Sequence, residues 1–79
     1  MIGENIKRLR TERHMTQKEL ADRLFVTAQA VSRWEKGDVE PSLRTVAELA
    51  KIFEVSTDEI IGNLNEKEEF ENDQDMSKK

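Results

Sequence analysis

The sequence predicts an all-α fold of five short helices followed by an acidic tail, and three observations carry that reading. Apolar residues recur at helical spacing from Ile2 to Ile61, and no segment of useful length alternates in the manner of a strand. Thr16, Thr27, Ser42 and Ser56 each stand just before such a run, where a hydroxyl can accept from an orphan amide of the first turn. Gly37 and Gly62 close two of the runs, and Pro41 breaks the chain between helices.

Taken in order, the first helix carries Ile2, Ile6 and Leu9 inward and ends near His14, with Lys7, Arg8, Arg10 and Arg13 between. Lys7, Arg8 and Arg13 read as a solvated face, and His14, without metal-ligand companions, as a helix-end residue. Thr16-Gln17-Lys18-Glu19 has the form of a capping box opening the second helix, whose inner face is Leu20, Ala21 and Leu24. Thr27 caps a third helix running from Ala28 to Lys36 and stopped by Gly37. Asp38-Val39-Glu40-Pro41 is a loop, after which Ser42 caps a fourth helix with Leu43, Val46, Leu49, Ala50 and Phe53 on one face. Ser56-Thr57-Asp58-Glu59 offers a second capping box for a short fifth helix through Ile60 and Ile61. Short connections between five short helices suit one compact domain, placed at residues 1–64, with residues 65–79 an acidic, disordered tail or linker.

Bulk composition limits the possibilities. A chain of 79 residues makes one small domain that buries roughly 60% of its unfolded surface. It has no cysteine, so neither a disulfide nor a thiolate site supplements the core. The net charge of −4 divides unevenly: residues 66–79 hold six acids and three lysines, leaving ten bases and eleven acids in the body. General basicity therefore gives no argument for a polyanionic partner, and only a local cluster of bases could. No apolar run approaches the ~20 residues of a membrane span, and the N-terminus has no signal-peptide pattern; a cytoplasmic protein with no membrane association is expected. No nucleophile–base pair, metal cluster or phosphate-cradling glycine loop is visible, so neither an enzyme nor a cofactor or metal is expected.

The functional signal lies in residues 16–37. A tight turn between the Thr16 and Thr27 caps forces helices two and three to cross steeply, with Leu20, Ala21, Leu24, Val31 and Trp34 pointing inward to hold the angle. Trp34 therefore reads as core, and Phe25 either covers the turn from outside or packs on helix four. The outward face of helix three then carries Ala28, Gln29, Ser32, Arg33 and Lys36. Gln can pair bidentately with adenine and Arg with guanine in the major groove, while Ser32 can donate or accept and Ala28 can meet a thymine methyl. Gln17 can offer its side chain and nearby amides to a phosphate; Thr27, Lys36 and Arg44 are read as further phosphate contacts.

These residues resemble the Cro/cI-type, lambda repressor-like helix-turn-helix family. The resemblance runs from Ile6 to Ile61 through Ile6-Lys7-Arg8-Leu9-Arg10, Thr16-Gln17-Lys18-Glu19-Leu20-Ala21, Val31-Ser32-Arg33-Trp34-Glu35-Lys36-Gly37, Pro41-Ser42, Leu49-Ala50 and Val55-Ser56-Thr57-Asp58-Glu59-Ile60-Ile61. It implies a five-helix domain that binds double-stranded DNA at a near-palindromic operator as a homodimer, acting as a transcriptional regulator and specifically a repressor. It further implies that Gln17 binds phosphate, that Ala28, Gln29, Ser32 and Arg33 face bases, and that Arg10 and Glu35 form a partly buried ion pair. Ile60, Ile61 and Leu64 are the expected dimer patch near helix five, although some of them must also close the core. Two other readings follow from the acidic tail and the acidic loop after helix three: a protein-binding module such as an antitoxin, with a partner held by the tail, or the N-terminal piece of a longer regulator.

Overall fold

The computed structural model describes residues 2–62, which fold into five helices: α1 (Ile2–Glu12), α2 (Gln17–Leu24), α3 (Ala28–Lys36), α4 (Leu43–Phe53) and α5 (Thr57–Ile61). The tail and Leu64 lie outside the described residues. Their expected roles therefore stay as expectations.

Each of the four later helices starts in the same way. The hydroxyls of Thr16, Thr27, Ser42 and Ser56 accept from the amides of Glu19, Ala30, Thr45 and Glu59 at 3.0–3.2 Å. Only at α2 is the box reciprocal, with the Thr16 amide donating to Glu19 Oε1 at 2.8 Å. At α5 the expected reciprocal bond is absent, and the Glu59 carboxylate instead faces Arg8 of α1, 3.6 Å from its Nη2.

Helix ends share a second device. After α1, α2, α3 and α4 the chain turns through a left-handed residue, respectively His14, Phe25, Gly37 and Glu54. The next amide then reaches back five residues: Met15 to Arg10, Val26 to Ala21, Asp38 to Arg33 and Val55 to Ala50, at 3.0–3.1 Å. This is a Schellman closure, in which a hydrophobic residue just past the turn packs back on the helix. Met15, Val26 and Val55 do so, half-buried against the core. Their burial holds three non-glycine residues in a conformation glycine would adopt more easily. The first helix accordingly stops at Glu12, two residues short of His14.

Between these ends lies one core of Ile6, Leu9, Leu20, Ala21, Leu24, Val31, Trp34, Val46, Leu49, Ala50, Phe53 and Ile60. Trp34 is core, as its spacing with Val31 predicts. Two of the polar ties that cross the bundle end on backbone carbonyls of a distant helix. Asn5 Nδ2 donates to the Ile60 carbonyl at 3.0 Å, fixing α5 on α1. Arg13, expected on a solvated face, instead donates to the carbonyls of Leu9 (3.0 Å) and Phe53 (2.8 Å) and stacks 5.3 Å from the Phe53 ring centroid. It thereby satisfies end carbonyls of both α1 and α4, groups that have no partner within their helices.

Gly3 brings α1 against the end of α3. A Cβ there would collide with the Trp34 carbonyl oxygen and stand 2.9 Å from that of Glu35. Only the missing side chain allows this approach. No described helix is long and apolar enough to cross a membrane.

Burial also corrects one expectation. Ile60 has no exposed surface and belongs wholly to the core, so it cannot form a dimer patch. Its period matches an apolar interface and an apolar core equally, and the short α5 turns it toward α1 and α4. Ile61 is half-buried against the same core.

Candidate nucleic-acid interface

Helices α2 and α3 are joined by Phe25-Val26-Thr27, and the buried contact of Leu20, Ala21 and Leu24 with Val31 and Trp34 fixes their crossing. With Val31 and Trp34 turned inward, α3 presents Gln29, Arg33 and Lys36 on an exposed ridge. Gln29 and Arg33 are one turn apart and border a shallow concavity with Thr27, Ala30, Trp34 and Val39. Ala28 and Ser32 are half-buried beside the ridge, the Ala28 methyl resting on the core. Among the described residues, Arg33, Lys36 and Arg44 enter no ion pair, so their charges face solvent uncommitted.

Thr27 accepts from the Ala30 amide at 3.1 Å, which leaves its hydroxyl proton free to donate outward. Arg44 is exposed in the first turn of α4. Ridge and flanks thus offer donors at three places: before α3, along it, and after it.

Both ends of this unit are locked by a polar junction under the surface. Arg10 donates through Nε to Glu35 Oε2 at 2.7 Å and through Nη2 to Oε1 at 3.1 Å, a bidentate pair. Its Nη1 takes the Met15 carbonyl at 2.7 Å. The Glu35 side chain is 4% exposed and that of Arg10 10%. Gln17, the first residue of α2, donates Nε2 to Glu35 Oε1 at 3.0 Å. One carboxylate at the end of α3 therefore gathers α1 and the start of α2. Sequence reasoning missed the Gln17–Glu35 bond, since 18 residues separate the partners and no local pattern joins them. The clue was that one arginine cannot saturate a buried carboxylate, which accepts about four hydrogen bonds.

The arrangement is a packed helix pair with a polar ridge on the second helix, and a family model described as helix-turn-helix matches the chain over residues 6–60. The chain belongs to the Cro/cI-type, lambda repressor-like helix-turn-helix family. Among its relatives are the HTH-type transcriptional activator BcrR of Enterococcus faecalis, 35% identical over 60 residues that make up 76% of this chain and 29% of the relative. The uncharacterized HTH-type transcriptional regulator YqaE of Bacillus subtilis is 37% identical over 68 residues, 85% of this chain and 59% of the relative. The cryptic phage CTXphi transcriptional repressor RstR of Vibrio cholerae is 35% identical over 71 residues, 85% of this chain and 64% of the relative. This member of the family thus spans less than two thirds of each of these relatives.

Proposed function

We propose that this chain is a sequence-specific binder of double-stranded DNA that acts as a cytoplasmic transcriptional regulator. The observation that carries the reading is the unpaired ridge of Gln29, Arg33 and Lys36 on a helix anchored at its far end by Glu35. Gln29 and Arg33 are the base readers, each able to form a bidentate pair in the major groove. Ser32 and Ala28, short and half-buried, make only close contacts beside them. Thr27, Lys36 and Arg44 meet phosphates on either side of the groove.

In this reading Gln17 spends one amide hydrogen on Glu35 and keeps the second, with its backbone amide, for a phosphate. Its grip on DNA is then set by the same junction that aims α3. Relatives named as a repressor and as an activator are similar to this chain in sequence, and repression by occupying a promoter is the simpler outcome because it needs only the DNA contact itself. A homodimer on a near-palindromic operator places two such ridges about one helical turn apart. Domain limits of 1–64 for the binding unit and 65–79 for the tail belong to the same proposal, as does a protein partner for the tail.

Selection of bound duplexes from a random pool, followed by titration of variants, tests this. Arg33→Ala should lose about 1–3 kcal/mol of discrimination at one base position. Gln17→Ala should weaken all duplexes alike. An Arg33→Ala protein with unchanged base preference would overturn the assignment.

A further inference from the structure

Phe25 is the most exposed large apolar residue described, at 94% of its full accessible surface. It also holds a left-handed backbone, with φ of 60°. The exposed ring adds nothing to the packing of the fold, and the backbone conformation is one that does not call for an aromatic residue. The Schellman closure of α2 needs a left-handed residue there, and glycine fills that position with least strain. His14 and Glu54, in the same place after α1 and α4, carry polar side chains suited to water. Only after α2 does the turn display an aromatic ring, and at this exposure the ring is not packed on α4, one of the two places the sequence offered for it. A bulky residue at positive φ is uncommon, and strain of this kind concentrates at functional sites.

Its location gives the ring a partner. Phe25 lies two residues before Thr27, the cap of α3, and its Cα is within about 7.6 Å of that of Thr27. It therefore stands at the N-terminal end of the reading helix, whereas Arg44 and the exposed Leu43 follow its C-terminal end. We infer that Phe25 is a further DNA-contacting residue, resting its ring on the apolar surface of the duplex just outside the bases met by Gln29. That surface is a thymine C5-methyl group or a deoxyribose face. The inference rests on the DNA-binding reading above and extends it by one contact that hydrogen-bonding logic does not find.

The test uses the full chain and the duplex selected by the wild-type protein. Thermal unfolding and anisotropy titrations are run for wild type, Phe25→Gly and Phe25→Leu. Phe25→Gly should unfold no lower than wild type, since it removes strain and no burial, yet bind at least about fivefold more weakly. Phe25→Leu should recover part of that loss. Replacing the outer thymines by uracil should weaken wild type and leave Phe25→Gly unchanged if the contact is a methyl, and should affect neither if it is a sugar. A stable Phe25→Gly protein that binds the selected duplex as tightly as wild type overturns the inference. Failure of wild type to prefer any duplex would overturn instead the DNA-binding reading beneath it.

Discussion

Glu35→Gln should come close to unfolding this domain, although it changes one oxygen to nitrogen. In the wild type the carboxylate accepts two bonds from Arg10 and one from Gln17, with 4% of the side chain exposed. The amide retains one acceptor for three donors and points its own N–H group at a donor. Arg10, 10% exposed, is left charged without a counter-ion. Breaking a buried pair by removing one partner costs about 3–5 kcal/mol. A domain of this size holds roughly 3–9 kcal/mol in total, so the loss removes most of its stability. Urea unfolding followed by the fluorescence of Trp34, the single tryptophan, measures it directly. Arg10→Met combined with Glu35→Leu should recover most of the loss, since no stranded charge remains and half-buried Gln17 can turn to water. A Glu35→Gln domain within about 1 kcal/mol of wild type, or a double variant no better than the single one, would refute the reasoning.

Three further outcomes are expected. Gly3→Ala should lower the urea midpoint, because the clash with two backbone carbonyls of α3, worth about 1–3 kcal/mol, outweighs the gain in helix propensity. Thr16→Ala should cost about 1 kcal/mol by opening the one reciprocal capping box among the described residues, and amide exchange should rise first in the opening turn of α2. Arg13→Met should destabilise by about 1–3 kcal/mol through the unsatisfied carbonyls of Leu9 and Phe53, while leaving duplex affinity unchanged in titrations of the folded protein.

What the sequence made legible is what acts locally. The four hydroxyl caps, the Gly37 stop, the Pro41 loop and the inward face of α3 each follow from residues within one helical turn. Helix ends without glycine were harder to see. His14, Phe25 and Glu54 adopt left-handed turns only because Met15, Val26 and Val55 bury behind them, which is a tertiary cause. The ties of Gln17 to Glu35 and of Arg13 to Phe53 span 18 and 40 residues and leave no mark in a local pattern. Ile60 was misplaced because apolar periodicity cannot distinguish a core face from an interface face. The exposed ridge of Gln29, Arg33 and Lys36 is legible once Val31 and Trp34 are turned inward, since what remains of α3 must face out.

The central claim is that a small face, rather than general basicity, recognises DNA. It is tested most directly by titrating the wild-type chain against its selected duplex and a scrambled duplex of equal length across a range of salt concentrations. A near-neutral body with few phosphate contacts should give a shallow salt slope and a preference for the selected duplex on the order of 10³-fold or more. Equal affinity for the two duplexes at moderate salt would contradict the account.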